Sequence, residues 1–146
     1  MHGVTRLKTF LVPVDGSEGS KRALQYAKER SRNGEARIHV LHVEAPLRYE
    51  ELRVYASRKE FHELRHQACK RLLAEAVEVL ATDRISHETH MQEGEAAQTI
   101  ARFVEAQKID EVIMGTRGMG AFGQMLLGSV AQRVVHLVHV PVTLVR

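Results

Sequence analysis

The chain has no tryptophan, one cysteine and three prolines in 146 residues, with three tyrosines and four phenylalanines as its only large aromatics. The single thiol, Cys69, excludes an intramolecular disulfide. With no signal-peptide pattern, that fits a reducing, cytoplasmic setting. No apolar run approaches the roughly 20 residues that span a bilayer, so no membrane association is expected. Charge of one sign is also in short supply, with 21 Lys and Arg against 18 Asp and Glu, a formal net of +3. The densest basic cluster, Lys21, Arg22, Lys28, Arg30 and Arg32, is interrupted by Glu29 and reads as a solvated helix face. Nucleic-acid binding would want a denser basic stripe interleaved with stacking aromatics, so no nucleic-acid partner is expected. The length suits one domain, residues 1–146, able to build a core without staples.

What is present is an alternation of short apolar runs and amphipathic stretches. Phe10 to Val14 is a short apolar run that stops at Asp15-Gly16-Ser17. Such a run reads as a buried strand, with Pro13 an awkward member because it lacks a ladder donor. Glu18 to Arg32 follows as a helix with Ser17 as its N-cap and Asn33-Gly34 as its stop. Arg37–Val43 is a second strand, and Pro46 to Ser57 an irregular or partly helical connection. Ser57 to Ala81 is a long helix whose Phe61, Leu64, Ala68, Leu72, Ala76 and Val79 make an inward stripe. Ile85–Met91 is a weaker strand. Gly94-Glu95 opens a helix that turns Ile100, Phe103 and Val104 inward. Lys108–Met114 is a fourth strand, Ser129–His139 a last helix and Pro141–Val145 a last strand. Strands alternating with helices predict an α/β fold, an open five-stranded parallel sheet with helices on both faces. The common doubly wound order, 3-2-1-4-5, reverses between the first and fourth strands.

Ligands of such sheets bind beyond the carboxyl ends of the strands, where the order reverses. The two loops there are Asp15-Gly16-Ser17 and the stretch Gly115-Thr116-Arg117-Gly118, followed nine residues later by Gly128-Ser129. Glycine permits close backbone approach, and a helix start offers N–H donors and a favourable dipole to an anion. Gly128 and Ser129 are expected to supply free N–H donors and a hydroxyl. Arg117, the only cation between Gly115 and Arg133, would offset phosphate charge. Asp15, an acceptor, suits a ribose hydroxyl, a base N–H or a divalent cation between it and the phosphates. This is not a Walker loop, since no lysine occurs from Glu111 onward.

The spacing of Gly115, Gly118, Gly128 and Ser129 resembles G-x2-G-x9-G-[ST], the signature of nucleotide-binding members of the universal stress protein family. Val12 to Ser17, Leu41-His42-Val43, Leu126 to Val130 and Pro141-Val142 are similar to that family too, and the likeness covers nearly the whole chain. The resemblance implies a Rossmann-like fold, a homodimer through the C-terminal strand Val140–Val145, and ATP, or AMP or ADP, as ligand, commonly with Mg²⁺ or Mn²⁺. It implies that Pro13, Val14, Asp15 and Val43 line adenine and ribose. Met114 and Gly115 would lie near the sugar. Arg117, Gly118, Gly128, Ser129 and Val130 would meet the phosphates.

Three readings of function stay open: a stress-response regulatory protein that binds an adenine nucleotide, a nucleotide-independent dimeric interaction module with an unidentified protein partner, and a slow ATP hydrolase. The uncharged stretch Met119–Leu127 motivates the second. The lack of a phosphate-binding lysine and of a base to orient water argues against efficient turnover, so no catalytic residue is assigned. His62-Glu63-Leu64-Arg65-His66 spells H-E-x-x-H, the spacing of a zinc protease helix. Leu64 belongs to the expected core stripe, however, and the histidines would sit on its solvated flank. Cys69 reads as a helix-flank thiol, and His39 and His42 as packed strand residues.

Overall fold

The computed structural model describes residues 3, 5–48, 58–116 and 127–146. Its strands are β1 (Lys8–Pro13), β2 (Ala36–Glu44), β3 (His87–Glu93), β4 (Glu111–Gly115) and β5 (Val142–Val145). Its helices are α1 (Glu18–Arg30), α2 (Arg58–Ala81), α3 (Ala96–Ala106) and α4 (Ser129–Leu137). All strand pairs are parallel and the order is β3-β2-β1-β4-β5. The reversal therefore falls between β1 and β4, as the common doubly wound order has it.

The alternation of the strands divides the core in two. Phe10, Val12, Val14, Ile38, Val40 and Ile113 face α1 and α2. Leu11, Leu41, Val112 and Met114 face α3 and α4. Strands buried on both faces read as near-continuous apolar runs, which is why β1 and β4 lack polar alternation. α1 starts at Ser17, whose hydroxyl oxygen accepts from the Ser20 N–H at 3.2 Å. α3 starts at Glu95, whose carboxylate accepts from the N–H groups of Ala97 and Gln98. As expected, Ile100, Phe103 and Val104 are buried on α3.

Pro13 finds a place in a central strand because of where its nitrogen points. The Val14 N–H donates to Leu41 O in β2 at 2.9 Å, and the Asp110 N–H donates to Thr9 O at 3.0 Å. Odd-numbered residues of β1 thus turn their backbone polar groups towards β4. The β1–β4 register ends at Leu11↔Val112, while the β1–β2 register runs on to Pro13↔Leu41. The missing donor faces β4, the side on which no register pair follows Leu11↔Val112.

Four expectations need correction. α2 is rotated from the predicted phase in its first half: Leu64 is 50% exposed and Ala68 is exposed, while Cys69, Ala76 and Leu80 are buried. The reason is polar, because Arg65 turns inward to bind Glu44. Cys69 is accordingly a buried thiol and not a flank residue. β4 begins at Glu111, not Lys108, since Lys108 adopts a φ of 52° that no strand residue takes. The basic cluster of α1 is only partly solvated. Lys28 is buried and pairs with Asp83 at 3.4 Å and Thr82 at 2.9 Å. Arg30 binds Glu111 through two nitrogens at 2.6 and 3.1 Å, and Thr143 donates to the same carboxylate at 2.6 Å. Burial alone would raise the Glu111 carboxyl, but the hydrogen bonds from Arg30 and Thr143 outweigh it and hold the group below its ordinary value.

Candidate functional site

The crevice beyond β1 and β4 is built from four chain segments. β1 delivers Pro13, Val14 and Asp15. Val14 is buried, whereas Asp15 is exposed, with Oδ1 accepting from the Ser17 N–H at 2.9 Å. That short turn, aided by Gly16 at φ +83°, fixes the carboxylate ahead of α1. β2 ends beside it with Val43 half-buried. β4 delivers Met114, which is buried, and Gly115.

Gly115 has a reason to be glycine that its spacing does not reveal. A Cβ there would stand 2.6, 2.7 and 2.9 Å from C, O and Cα of Gly19 in the first turn of α1. Only a glycine at 115 lets β4 and the start of α1 approach so closely. The polypeptide leaves β4 through Thr116, whose N–H donates to Val145 O at 3.0 Å and whose carbonyl accepts the Gly128 N–H at 2.6 Å. The entry to and the exit from the segment between them are thus joined. Arg117 and Gly118 lie outside the described residues, as does Met119 to Leu126 of the uncharged stretch.

The Thr116 contact corrects one expectation, because the Gly128 N–H is engaged and is no free donor. Gly128 is the N-cap of α4 and makes no side-chain cap hydrogen bond. The first intrahelical bond runs from Gln132 N to Gly128 O at 3.0 Å. The N–H groups of Ser129, Val130 and Ala131 precede it, and helix geometry gives them no partner within the helix. Ser129 and Val130 are exposed. α1 and α3 are capped by their own side chains, but α4 presents its first turn with the positive end of its dipole at the crevice.

The β2 side carries a polar relay that the sequence did not announce. His42 Nδ1 donates to Val14 O at 2.7 Å, and its Nε2 lies 2.9 Å from Glu44 Oε1. Arg65 grips the other oxygen of Glu44 at 2.6 and 3.0 Å and also binds Ala45 O. Burial would raise the Glu44 carboxyl; the hydrogen bonds of His42 and Arg65 outweigh it and lower it. Cys69 lies close to the pair, and burial first, then the Glu44 charge, pushes its thiol up, so it stays protonated. A cavity of about 350 Å³ lies between α1 and α2, reaching Val14 and Gly16 but lined mainly by Leu24, Leu72, Ala76 and Val79. It is distinct from the β4 end of the crevice. His62 and His66 are exposed on α2, so the H-E-x-x-H spelling lies on a solvated face, though without Leu64 in the core.

The sequence missed Gly19, Thr116 and the His42–Glu44–Arg65 relay. Gly19 could have been noticed, since a glycine in a first helical turn near a glycine-bearing loop usually has a packing reason. Nothing in the local pattern pairs Arg65 with Glu44, 21 residues away.

Open doubly wound α/β sheets take their ligands beyond the strand ends at the switch point, which is where α4 starts in this chain. Comparison with known proteins narrows the class. The model of the universal stress protein family matches residues 6–146, and the chain belongs to that family. It is 34% identical over 142 residues to a universal stress protein of Thermus aquaticus encoded in the QAH/OAS sulfhydrylase 3' region, covering 95% of this chain and 98% of that one. Universal stress protein UspA from Lactobacillus plantarum has the same fold, with a TM-score of 0.83 at 21% identity over 97% and 99% of the two chains. So does a universal stress protein from Archaeoglobus fulgidus solved in complex with dAMP, with a TM-score of 0.69 at 19% identity over 98% and 100%. Another universal stress protein of this fold was solved with cAMP, with a TM-score of 0.73 at 20% identity over 97% and 98%.

Proposed function

We propose that this chain is a stress-response regulatory protein that binds an adenine nucleotide in the crevice beyond β1 and β4. The observation that carries the reading is the first turn of α4. Its N-cap, Gly128, brings no side-chain acceptor, and it follows β4, the strand beside the one that ends at Asp15. Phosphate oxygens supply the acceptors such a turn lacks. The cAMP and dAMP complexes of proteins with this fold support an adenine ligand.

In this reading Pro13, Val14, Asp15 and Val43 bound the adenine and ribose, and Met114 and Gly115 lie near the sugar. The N–H groups of Ser129, Val130 and Ala131 take the phosphates with Arg117 and Gly118, and Gly128 shapes the cap without donating. Asp15 is the residue that would hold a Mg²⁺ or Mn²⁺ ion brought by ATP. The ion would only neutralise phosphate charge. Binding, not turnover, is the output, because no lysine follows Glu111. Residues 1–146 act as one cytoplasmic domain.

A second reading, dimerisation, is compatible with the first. β5 is an edge strand, half-buried at each residue, and Val135 and Leu137 nearby are exposed. Unpaired apolar edges are usually covered, here by the β5 of a second copy through Val140–Val145. Sedimentation at micromolar concentration should give a dimer, and a monomer would refute it.

The nucleotide reading is tested by denaturing purified protein and identifying any released nucleotide; with no tryptophan present, adenine absorbance stands out. ATP–Mg²⁺ added at about 100 times its Kd should stabilise the fold by roughly 2.7 kcal/mol. No released nucleotide and no shift in Tm with ATP, ADP or AMP would leave the interaction module as the surviving function. Phosphate release equal in the wild type and in Gly118→Val would assign any hydrolysis to contamination.

A further inference from the structure

We propose that His39, Glu88 and His90 form a binding site for one divalent ion of the zinc type, at the β3 edge of the sheet and apart from the nucleotide crevice. The register places them together: His39 in β2 pairs with Glu88 in β3, and His90 follows two residues on, opposite Leu41. Parallel partners and residues two apart share one face of a sheet. Here it is the face covered by α3.

The donor atoms already converge. His39 Nδ1 and His90 Nε2 are 3.0 Å apart, and Glu88 Oε2 lies 4.0 Å from the first and 3.8 Å from the second. Tetrahedral zinc with bonds of 2.0–2.2 Å sets its ligand atoms roughly 3.3 Å apart. The nitrogens need to open by a few tenths of an ångström and the carboxylate to close by about half an ångström. Glu88, half exposed on an edge strand, has room for that movement.

Two imidazoles and a carboxylate, with a fourth position left to water, form a donor set that zinc accepts. The rings are held in place by Phe103, with centroids 5.9 Å from His39 and 4.7 Å from His90. A metal ligand needs the neutral imidazole. Without an ion the facing nitrogens share one proton. On binding, that proton moves to the far nitrogen of its own ring, so neither ring changes charge. Arg37 stands 3.3 Å from the other oxygen of Glu88 and orients the carboxylate from behind. The bound ion would tie the edge strand β3 to β2. The other convergent group among the described residues, His42, Glu44 and Cys69, is committed: Glu44 is gripped by Arg65 and the thiol is protonated.

The test uses the whole protein, stripped with chelator and titrated with Zn²⁺ alone by calorimetry, then with Co²⁺ read by visible absorption. We expect one equivalent, weakened by at least about 10-fold in Glu88→Gln and lost in His90→Gln. The double variant His62→Gln/His66→Gln and the variant Cys69→Ser should bind as the wild type does. Binding that survives His90→Gln, or a thiolate-to-cobalt charge-transfer band, would overturn the proposal by placing the ion elsewhere. So would a wild type that binds no zinc at about 0.1 mM. Should His90→Gln fail to fold, as judged by its melting curve without metal, Glu88→Gln decides, because its side chain is half exposed.

Discussion

Replacing Gly115 by alanine separates two reasons for a glycine at that position. One is close approach of a ligand, implied by the spaced motif; the other is the Gly19 backbone. The added methyl would stand 2.6 Å from the Gly19 carbonyl carbon, 2.7 Å from its oxygen and 2.9 Å from its Cα. All three atoms are main chain, so no rotamer change relieves them. Gly115 is not among the positive-φ residues, so alanine adds no conformational cost of its own and the steric term stands alone. Overpacking typically costs 1–3 kcal/mol, and a contact that only a backbone shift can relieve belongs at the upper end, about 3 kcal/mol. At about 3 °C per kcal/mol for a chain of this length, Tm should fall by roughly 9 °C. Thermal unfolding followed by circular dichroism measures this directly, and the same samples can be titrated with ATP–Mg²⁺. Affinity should fall as well, because β4 would be pushed away from α1 at the crevice. A Tm within about 2 °C of the wild type would refute the packing argument. If affinity fell with Tm unchanged, the glycine would serve the ligand only.

The phase of α2 is checked by a pair of variants: Leu64→Gln should change stability by no more than about 0.5 kcal/mol, and Leu80→Ala should cost about 2–5 kcal/mol in urea unfolding. Glu44, Asp110 and Glu111 all have carboxyls lowered in the folded state. Their contribution is therefore fully present above the ordinary carboxylate range and is lost as pH falls through that range to the folded-state values. Tm should drop on acidification below about pH 5. Glu111→Gln should lower stability near neutral pH by roughly 1–2 kcal/mol and flatten that acid limb, because one of the groups driving it is gone. A limb of unchanged steepness would show that Glu111 is not depressed in the fold.

The strands were legible because the apolar runs of β1, β2 and β4 are short and followed by turn-forming residues, a local signal, and the switch point followed from the common doubly wound order. The phase of α2 was not. Apolar periodicity assumes that the inward face is apolar, and Arg65 turns inward to reach Glu44, a partner set by the tertiary fold. The start of β4 was misplaced because Lys108 reads as a strand residue in composition and is a turn residue in conformation. For the crevice, the motif named Gly115 and Gly128 correctly as neighbours of one place. Their work differs from the motif's suggestion, with Gly115 pressed on Gly19 and the Gly128 N–H given to Thr116. Both facts depend on chain segments that meet only after folding. The α1 cluster shows the same limit, since composition cannot say that Arg30 is spent on Glu111.

The early end of the β1–β4 ladder bears on how the molecule comes apart. Past Leu11 and Val112 no register pair joins the two strands, so the sheet has a seam between β3-β2-β1 and β4-β5. What closes the seam is α1, which belongs to the first half in sequence yet grips the second through Arg30 on Glu111 and Gly19 on Gly115. α1 is a clasp, and a ligand lying across the crevice would be another. Native-state hydrogen exchange should then report two cooperative units: amides of β4 and β5 exchanging at lower free energy than those of β1 and β2, and the gap narrowing when nucleotide is bound. In that view the ligand's effect is to make two sub-structures unfold as one.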